Sequence, residues 1–151
     1  IRDRNCDARL PEPGPFSDDD QVMLTAAQAA LGNVRDKIDV QAFHEALEAI
    51  WVVIRQSNGY VDAQAPWKLK KEDPARMNTV LFVLAETVRR IAIMVQPVMP
   101  ESAAKLLAQL AVPDERRLFA EIGEAPGLVP GVALPKPQGV FPRIQLEEEG
   151  G

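Results

Sequence analysis

Apolar residues recur at helical spacing in three long stretches. Leu24, Ala27, Leu31, Val34 and Ile38 lie three or four residues apart and draw one stripe along an amphipathic helix. Ser17 precedes it as an N-cap, and Asp18, Asp19 and Asp20 place carboxylates at the positive end of its dipole. Phe43, Leu47, Ile50 and Ile54 form a second stripe, with Asp39 placed to cap it. Ala42, Ala46, Ala49 and Val53 add a small-residue face, and two apolar faces put this helix inside a bundle. Gly59 weakens the pattern, which runs on to Ala65 until Pro66 ends it. The strongest signal is Met77, Leu81, Leu84, Val88, Ile91 and Val95, opened by Asp73-Pro74, a cap residue followed by proline at the first helical position. Phe82 and Ile93 lie off this stripe, so the helix is largely buried, and Arg89 and Arg90 mark its wet side. Pro97 and Pro100 end it. A shorter helix from Glu101 to Leu110 turns Ala103, Leu106, Leu107 and Leu110 inward, and Asp114 to Phe119 can add a turn or two.

The ends read differently. Ile1 to Ala8 suit the last turns of a helix, until Pro11, Pro13 and Pro15 forbid one. After Glu121 five prolines interleave with glycines, giving an irregular segment with one short extended piece at 139–144 and a solvated acidic end at Glu147-Glu148-Glu149. The expectation is an all-α protein: an antiparallel bundle of about four helices over 1–121, then a Pro/Gly-rich extension over 122–151. The start, Ile1-Arg2-Asp3-Arg4, lacks Met and a signal-like apolar run, so the chain reads as a cytoplasmic piece of something longer.

Composition narrows the chemistry. The 151 residues are 46% hydrophobic and 26% charged, which suits a folded chain. A single cysteine, Cys6, excludes an internal disulfide and a cysteine zinc cluster, and a single histidine, His44, excludes multi-histidine metal sites. Asp18 to Asp20 are neighbours that point about 100° apart on a helix, so they suit capping, not one ion. No phosphate loop or nucleophile elbow is present, and neither catalytic nor metal-binding residues are expected. No apolar run reaches the roughly 18–20 residues of a membrane span.

Charge sharpens the picture further. The net charge of −5 argues against nucleic acid, yet residues 61–110 carry +2 while the flanking parts carry −4 and −3. The densest basic run is Lys68, Lys70 and Lys71, which also fits a merely solvated helix junction. Trp51 sits beside Ile50 on an apolar helix and reads as core. Trp67 follows Pro66 at a helix break and precedes the lysines, so it can offer its indole face to an unstacked base. Folding back over the bundle end is the equal alternative.

The run Asn58-Gly59-Tyr60-Val61-Asp62-Ala63-Gln64-Ala65-Pro66-Trp67-Lys68-Leu69 resembles the helical anticodon-binding domain of the methionyl-tRNA synthetases. The family pattern is Asn-x-Tyr, a few polar residues, then Ala-Pro-Trp and a basic residue. Ile91-Ala92-Ile93-Met94-Val95-Gln96-Pro97-Val98-Met99-Pro100 is similar to the family's apolar helix ending in Pro-x-Met-Pro. Val140-Phe141-Pro142-Arg143-Ile144 resembles the segment closing its core enzyme, and Asn5-Cys6-Asp7 before a proline stretch fits bacterial members. The resemblance covers nearly the whole chain.

It implies a class I synthetase bundle that recognises the CAU anticodon of tRNA(Met) in translation. Trp67 would stack on an anticodon base and Pro66 would shape the loop. Asp62 matches an acidic position near the recognition loop. Asn58 falls in the same anticodon-binding set, although its role, like that of Tyr60, reads as mainly structural. Contacts of Lys68, Lys70 and Lys71 with phosphate are inferred from their charge alone. A further Asn and Arg pair of the family lies upstream of Ile1, so weakened anticodon binding is expected. The catalytic domain, with its His-Ile-Gly-His-like and Lys-Met-Ser-Lys-Ser-like signatures, is not in this sequence. ATP and methionine belong to that domain, and no cofactor is expected here. The extension would run back toward the catalytic domain and be loose without it, with Phe141 and Ile144 uncovered and fast hydrogen exchange over 131–151. Two other readings compete: a helical scaffold that uses Trp67 as a protein anchor, and the equivalent domain of a valine or leucine synthetase.

Overall fold

The computed structural model describes residues 8–141. Five helices follow in order: α1 (Asp18–Asp39), α2 (Phe43–Gln64), α3 (Pro66–Glu72), α4 (Pro74–Val95) and α5 (Pro100–Gln109). Two 3-10 turns come after them, at Asp114–Arg116 and Phe119–Glu121. The described residues hold no strand, only an isolated antiparallel bridge between Arg9 and Ala133. Helices α1 and α2 are antiparallel, since Lys37 pairs with Glu45 at one end and Gln64 donates to Asp19 at the other.

The helix starts at 17 and 73 follow their capping chemistry. Ser17 Oγ accepts from the Asp20 amide while the Asp20 carboxylate accepts from the Ser17 amide, a reciprocal capping box. Asp73 accepts from the Arg76 amide, with Pro74 at the first position of α4. Asp39 does not cap α2. It is the last residue of α1, and the chain turns through Gln41 at φ 60° before Ala42, which offers no side-chain cap.

The interior helix is α4, not α2. Fifteen residues of α4 are buried, against four of α2. The reason is placement: α1, α2, α3 and α5 all pack on α4, while α2 keeps an outer face. Phe43 and Trp51 lie on that face at 48% and 53% exposure, which corrects the assignment of Trp51 to the core.

The largest departure from the periodicity concerns Arg89 and Arg90. Both are buried, and the fully buried Glu86 lies between them. Arg89 donates through Nε and Nη2 to the two Glu86 carboxylate oxygens at 2.9 and 2.7 Å, and Arg90 Nε donates to Oε1 at 2.8 Å. Arg90 Nη1 and Nη2 donate to the backbone carbonyls of Leu24 and Ala125, Arg89 Nη2 donates also to that of Glu121, and the Leu128 amide donates to Glu86. Among the described residues no buried side-chain polar atom lacks a partner. Gly127 is required by this packing, because a Cβ there would stand 2.6 Å from the Arg89 guanidinium.

Burial pushes the Glu86 pKa up, but the hydrogen bonds and charges of Arg89 and Arg90 outweigh it and hold the group below its ordinary 4.5. The unfolded chain therefore takes up this proton first as pH falls. The stability from Glu86 is complete well above about pH 4.5 and drains away below it. Urea midpoints should fall between about pH 5 and pH 3.5 in the native chain. An unchanged midpoint over that range would contradict the burial of a charged Glu86.

Residues after Glu121 pack on the helices. Ile122, Leu128 and Leu134 join the same core cluster as Phe82, Ile93 and Leu107. Leu10 and Gly131–Val132 exchange backbone hydrogen bonds at 2.8 Å, and the Leu134 amide donates to Ala8 at 2.8 Å. The expected looseness is thus corrected for 122–134. Amide exchange at Leu10, Gly131 and Leu134 should be slow in hydrogen-exchange NMR, and rapid exchange at all three would refute the pairing. Phe141 is 68% exposed. Cys6, Asn5-Cys6-Asp7, the first helical turns, residues 142–144 of the extended piece, Ile144 and the acidic end lie outside the described residues.

Candidate nucleic-acid interface

One end of the bundle gathers the expected site residues. Helix α2 runs straight through Asn58 and Asp62 to Gln64, so these two side chains stand one turn apart on one exposed face. Tyr60 points the other way and is buried. The chain then breaks at one residue: Ala65 adopts left-handed φ 43°, ψ 60°. Its amide still donates to the Val61 carbonyl, and the residue serves both as C-cap of α2 and as N-cap of α3. Pro66 cannot continue α2, but its fixed φ suits the first position of α3.

Helix α3 is one short excursion of seven residues with none buried. Trp67 is 59% exposed on it. Lys70 and Lys71, three and four residues on, flank the Trp67 face, and Lys68 is turned away by about 100°. Pro66, Trp67 and Lys70 line a groove of about 300 Å³ whose floor is Met77 and Leu81 of α4. Asn58, Asp62, Lys68 and Lys71 do not line it. A half-exposed indole beside an apolar floor and a cation is suited to a flat, anionic, partly apolar group, which describes an unstacked nucleotide. An amine and an indole line this groove, and its open shape suits binding.

Beneath the site lies a network that the sequence did not reveal. Asp20, fully buried at the start of α1, accepts from Tyr60 Oη at 2.5 Å. It also accepts from both terminal nitrogens of Arg76 on α4, at 2.5 and 2.8 Å. Arg76 Nη2 donates in addition to Gln64 Oε1 at 2.7 Å and to Ser17 Oγ at 3.2 Å. Burial pushes the Asp20 carboxyl up, but bonds from Arg76, Tyr60 and Ser17 outweigh that and hold it below its ordinary 3.8. Burial and the neighbouring carboxylate drive the Tyr60 phenol far upward, so it remains a neutral donor. The Ser17-x-x-Asp20 capping box was a legible signal for Asp20. Nothing local pointed to Arg76, 56 residues further on.

The sequence matches the family described as the anticodon binding domain of methionyl tRNA ligase over residues 10–150. The chain belongs to that family. Methionine–tRNA ligases of Rhizobium meliloti and Brucella suis are 51% and 50% identical to it over 96% and 97% of its length. The chain spans about 28% of the length of those relatives. A free-state crystal structure of Mycobacterium tuberculosis methionyl-tRNA synthetase superposes with a TM-score of 0.89 at 47% identity, over 95% of this chain and 29% of that one. Family membership decides against the corresponding domain of a valine or leucine synthetase. No helix among the described residues is long and apolar enough to cross a membrane.

Proposed function

We propose that this domain reads the CAU anticodon of tRNA(Met), with the indole of Trp67 stacked on an anticodon base. The observation that carries this reading is the placement of Trp67: 59% exposed on a helix with no buried residue, over a groove that also holds Lys70. Pro66 and the left-handed Ala65 set the angle at which α3 leaves α2. Lys68, Lys70 and Lys71 supply phosphate attraction from two sides of α3. Asp62, on the outer face of α2, borders the loop and limits which bases approach it, with Asn58 one turn further back on the same face.

In this reading residues 1–121 form the anticodon-binding bundle. The extension over 122–151 returns toward the catalytic domain of the same polypeptide. ATP and methionine are handled by that domain: the related Mycobacterium tuberculosis synthetase has been solved with methionyl-adenylate, in a chain of which this one covers 28%. The whole protein would then be a methionine–tRNA ligase of the cytoplasm, serving protein synthesis.

Titration of a labelled CAU stem-loop at low salt, against a loop with a changed anticodon, tests the reading. Tighter binding of the CAU loop is expected. Equal binding of both loops would reduce the site to a basic patch, and no binding by a folded chain would favour the protein-anchor role for Trp67.

A further inference from the structure

Helix α3 has no fully buried residue, and its half-buried Leu69 alone packs on the core cluster of Met23, Tyr60 and Val80, so the ties at its two ends help fix where Trp67 points. Its two ends are the end of α2 and the start of α4. Those ends are tied together by Arg76, whose Nη2 donates to Gln64, the residue immediately before the left-handed Ala65. Gln64 and Arg76 therefore close the base of the excursion that runs from 65 to 75. The same guanidinium is seated on the buried Asp20 of α1, which also holds the Tyr60 hydroxyl on the last turns of α2. Gln64 reaches α1 a second time through Asp19. Three helices thus meet at one carboxylate, tied to the chain at both ends of α3.

The geometry points to Asp20, Arg76 and Gln64 as positioning residues for anticodon recognition: they hold α3 so that Trp67 faces the incoming base. The inference rests on the reading of Trp67 given above. A bidentate guanidinium on a buried carboxylate is directional, and Nη2, one arm of the fork, also donates to Gln64. Holding the indole in place before binding removes an ordering cost from association.

Two substitutions test this without excavating the core. Arg76→Gln removes the fork, and Gln64→Ala removes the ties of Gln64 to Arg76 and Asp19 while Asp20, Tyr60 and Arg76 stay paired. Both are made in a Trp51→Phe chain, in which Trp67 is the single tryptophan. The readouts are Trp67 fluorescence anisotropy without RNA, far-ultraviolet helicity, and affinity for CAU and changed-anticodon stem-loops. The expected result is lower Trp67 anisotropy in both variants at unchanged helicity. Affinity for the CAU loop should drop about tenfold in Arg76→Gln and less in Gln64→Ala, with affinity for the changed loop unaltered. Arg76→Lys should recover part of the loss, since an ammonium reaches Asp20 but cannot also bridge to Gln64. Unchanged anisotropy and unchanged selectivity in both variants would overturn the proposal. Absence of selectivity in the unsubstituted chain would instead overturn the anticodon reading, and the anisotropy arm would still decide whether the network orients Trp67.

Discussion

Replacing Glu86 by Gln should lower the unfolding free energy by about 3–5 kcal/mol. The size follows from what is left behind. Gln keeps the shape of Glu86 but not its charge, so the buried Arg89 and Arg90 guanidinium groups lose their shared counter-charge. Neither arginine can turn to solvent without leaving carbonyls at Glu121, Ala125 and Leu24 unpaired. The Leu128 amide loses a charged acceptor as well. The loss therefore spreads from α4 into the packed segment after Glu121. Guanidinium denaturation near pH 7 measures it. A change below about 1 kcal/mol would mean that water or another group screens the arginines.

Trp67→Ala carries the second large effect, and it falls on binding. Removing a stacked indole should cost about 1–3 kcal/mol of affinity for the CAU stem-loop, or roughly 5- to 150-fold. Stability should hardly change, because Trp67 is 59% exposed and buries little in the fold. Residual binding should persist through the lysines, fall steeply with salt and ignore the anticodon sequence. Isothermal titration beside circular dichroism separates the two effects. A variant that binds the CAU loop as well as the parent would remove Trp67 from the interface.

Much of this site was readable from short-range patterns. Proline after Ala65 forces a helix break, the indole follows immediately, and lysines follow that. Each step is local, so the break and its neighbours were legible, whereas the residues alone left open whether the indole stands out or folds back, and packing places it at 59% exposure. The start of α4 at Asp73-Pro74 and its end near Val95 were legible for the same reason. Failures began where an element's surroundings decide the outcome. Periodicity placed Arg89 and Arg90 in water because it treats charge as solvent-facing. Glu86, three and four residues before them, offered a pairing signal, but burial of the trio depends on residues 121–128 folding over α4. Trp51 failed in the opposite sense. It lies on an apolar helix, yet α4 and not α2 occupies the centre, and the outer face of α2 stays open. The Asp20–Arg76 pair joins positions 56 residues apart and has no local signature at Arg76.

Whether the Trp67 indole meets an anticodon base can be tested within a single spectrum, because the chain holds two tryptophans. Trp51, on the exposed face of α2 about 20 Å along that helix from its end, serves as the internal reference. The measurement is the NMR ring resonances of both tryptophans during titration with the CAU stem-loop and with a changed loop. Stacking predicts that the Trp67 ring protons shift upfield with the CAU loop and much less with the changed one, while Trp51 stays in place. Trp67 resonances that remain still while the CAU loop binds, or that move equally with both loops, would show that this indole does not stack on an anticodon base.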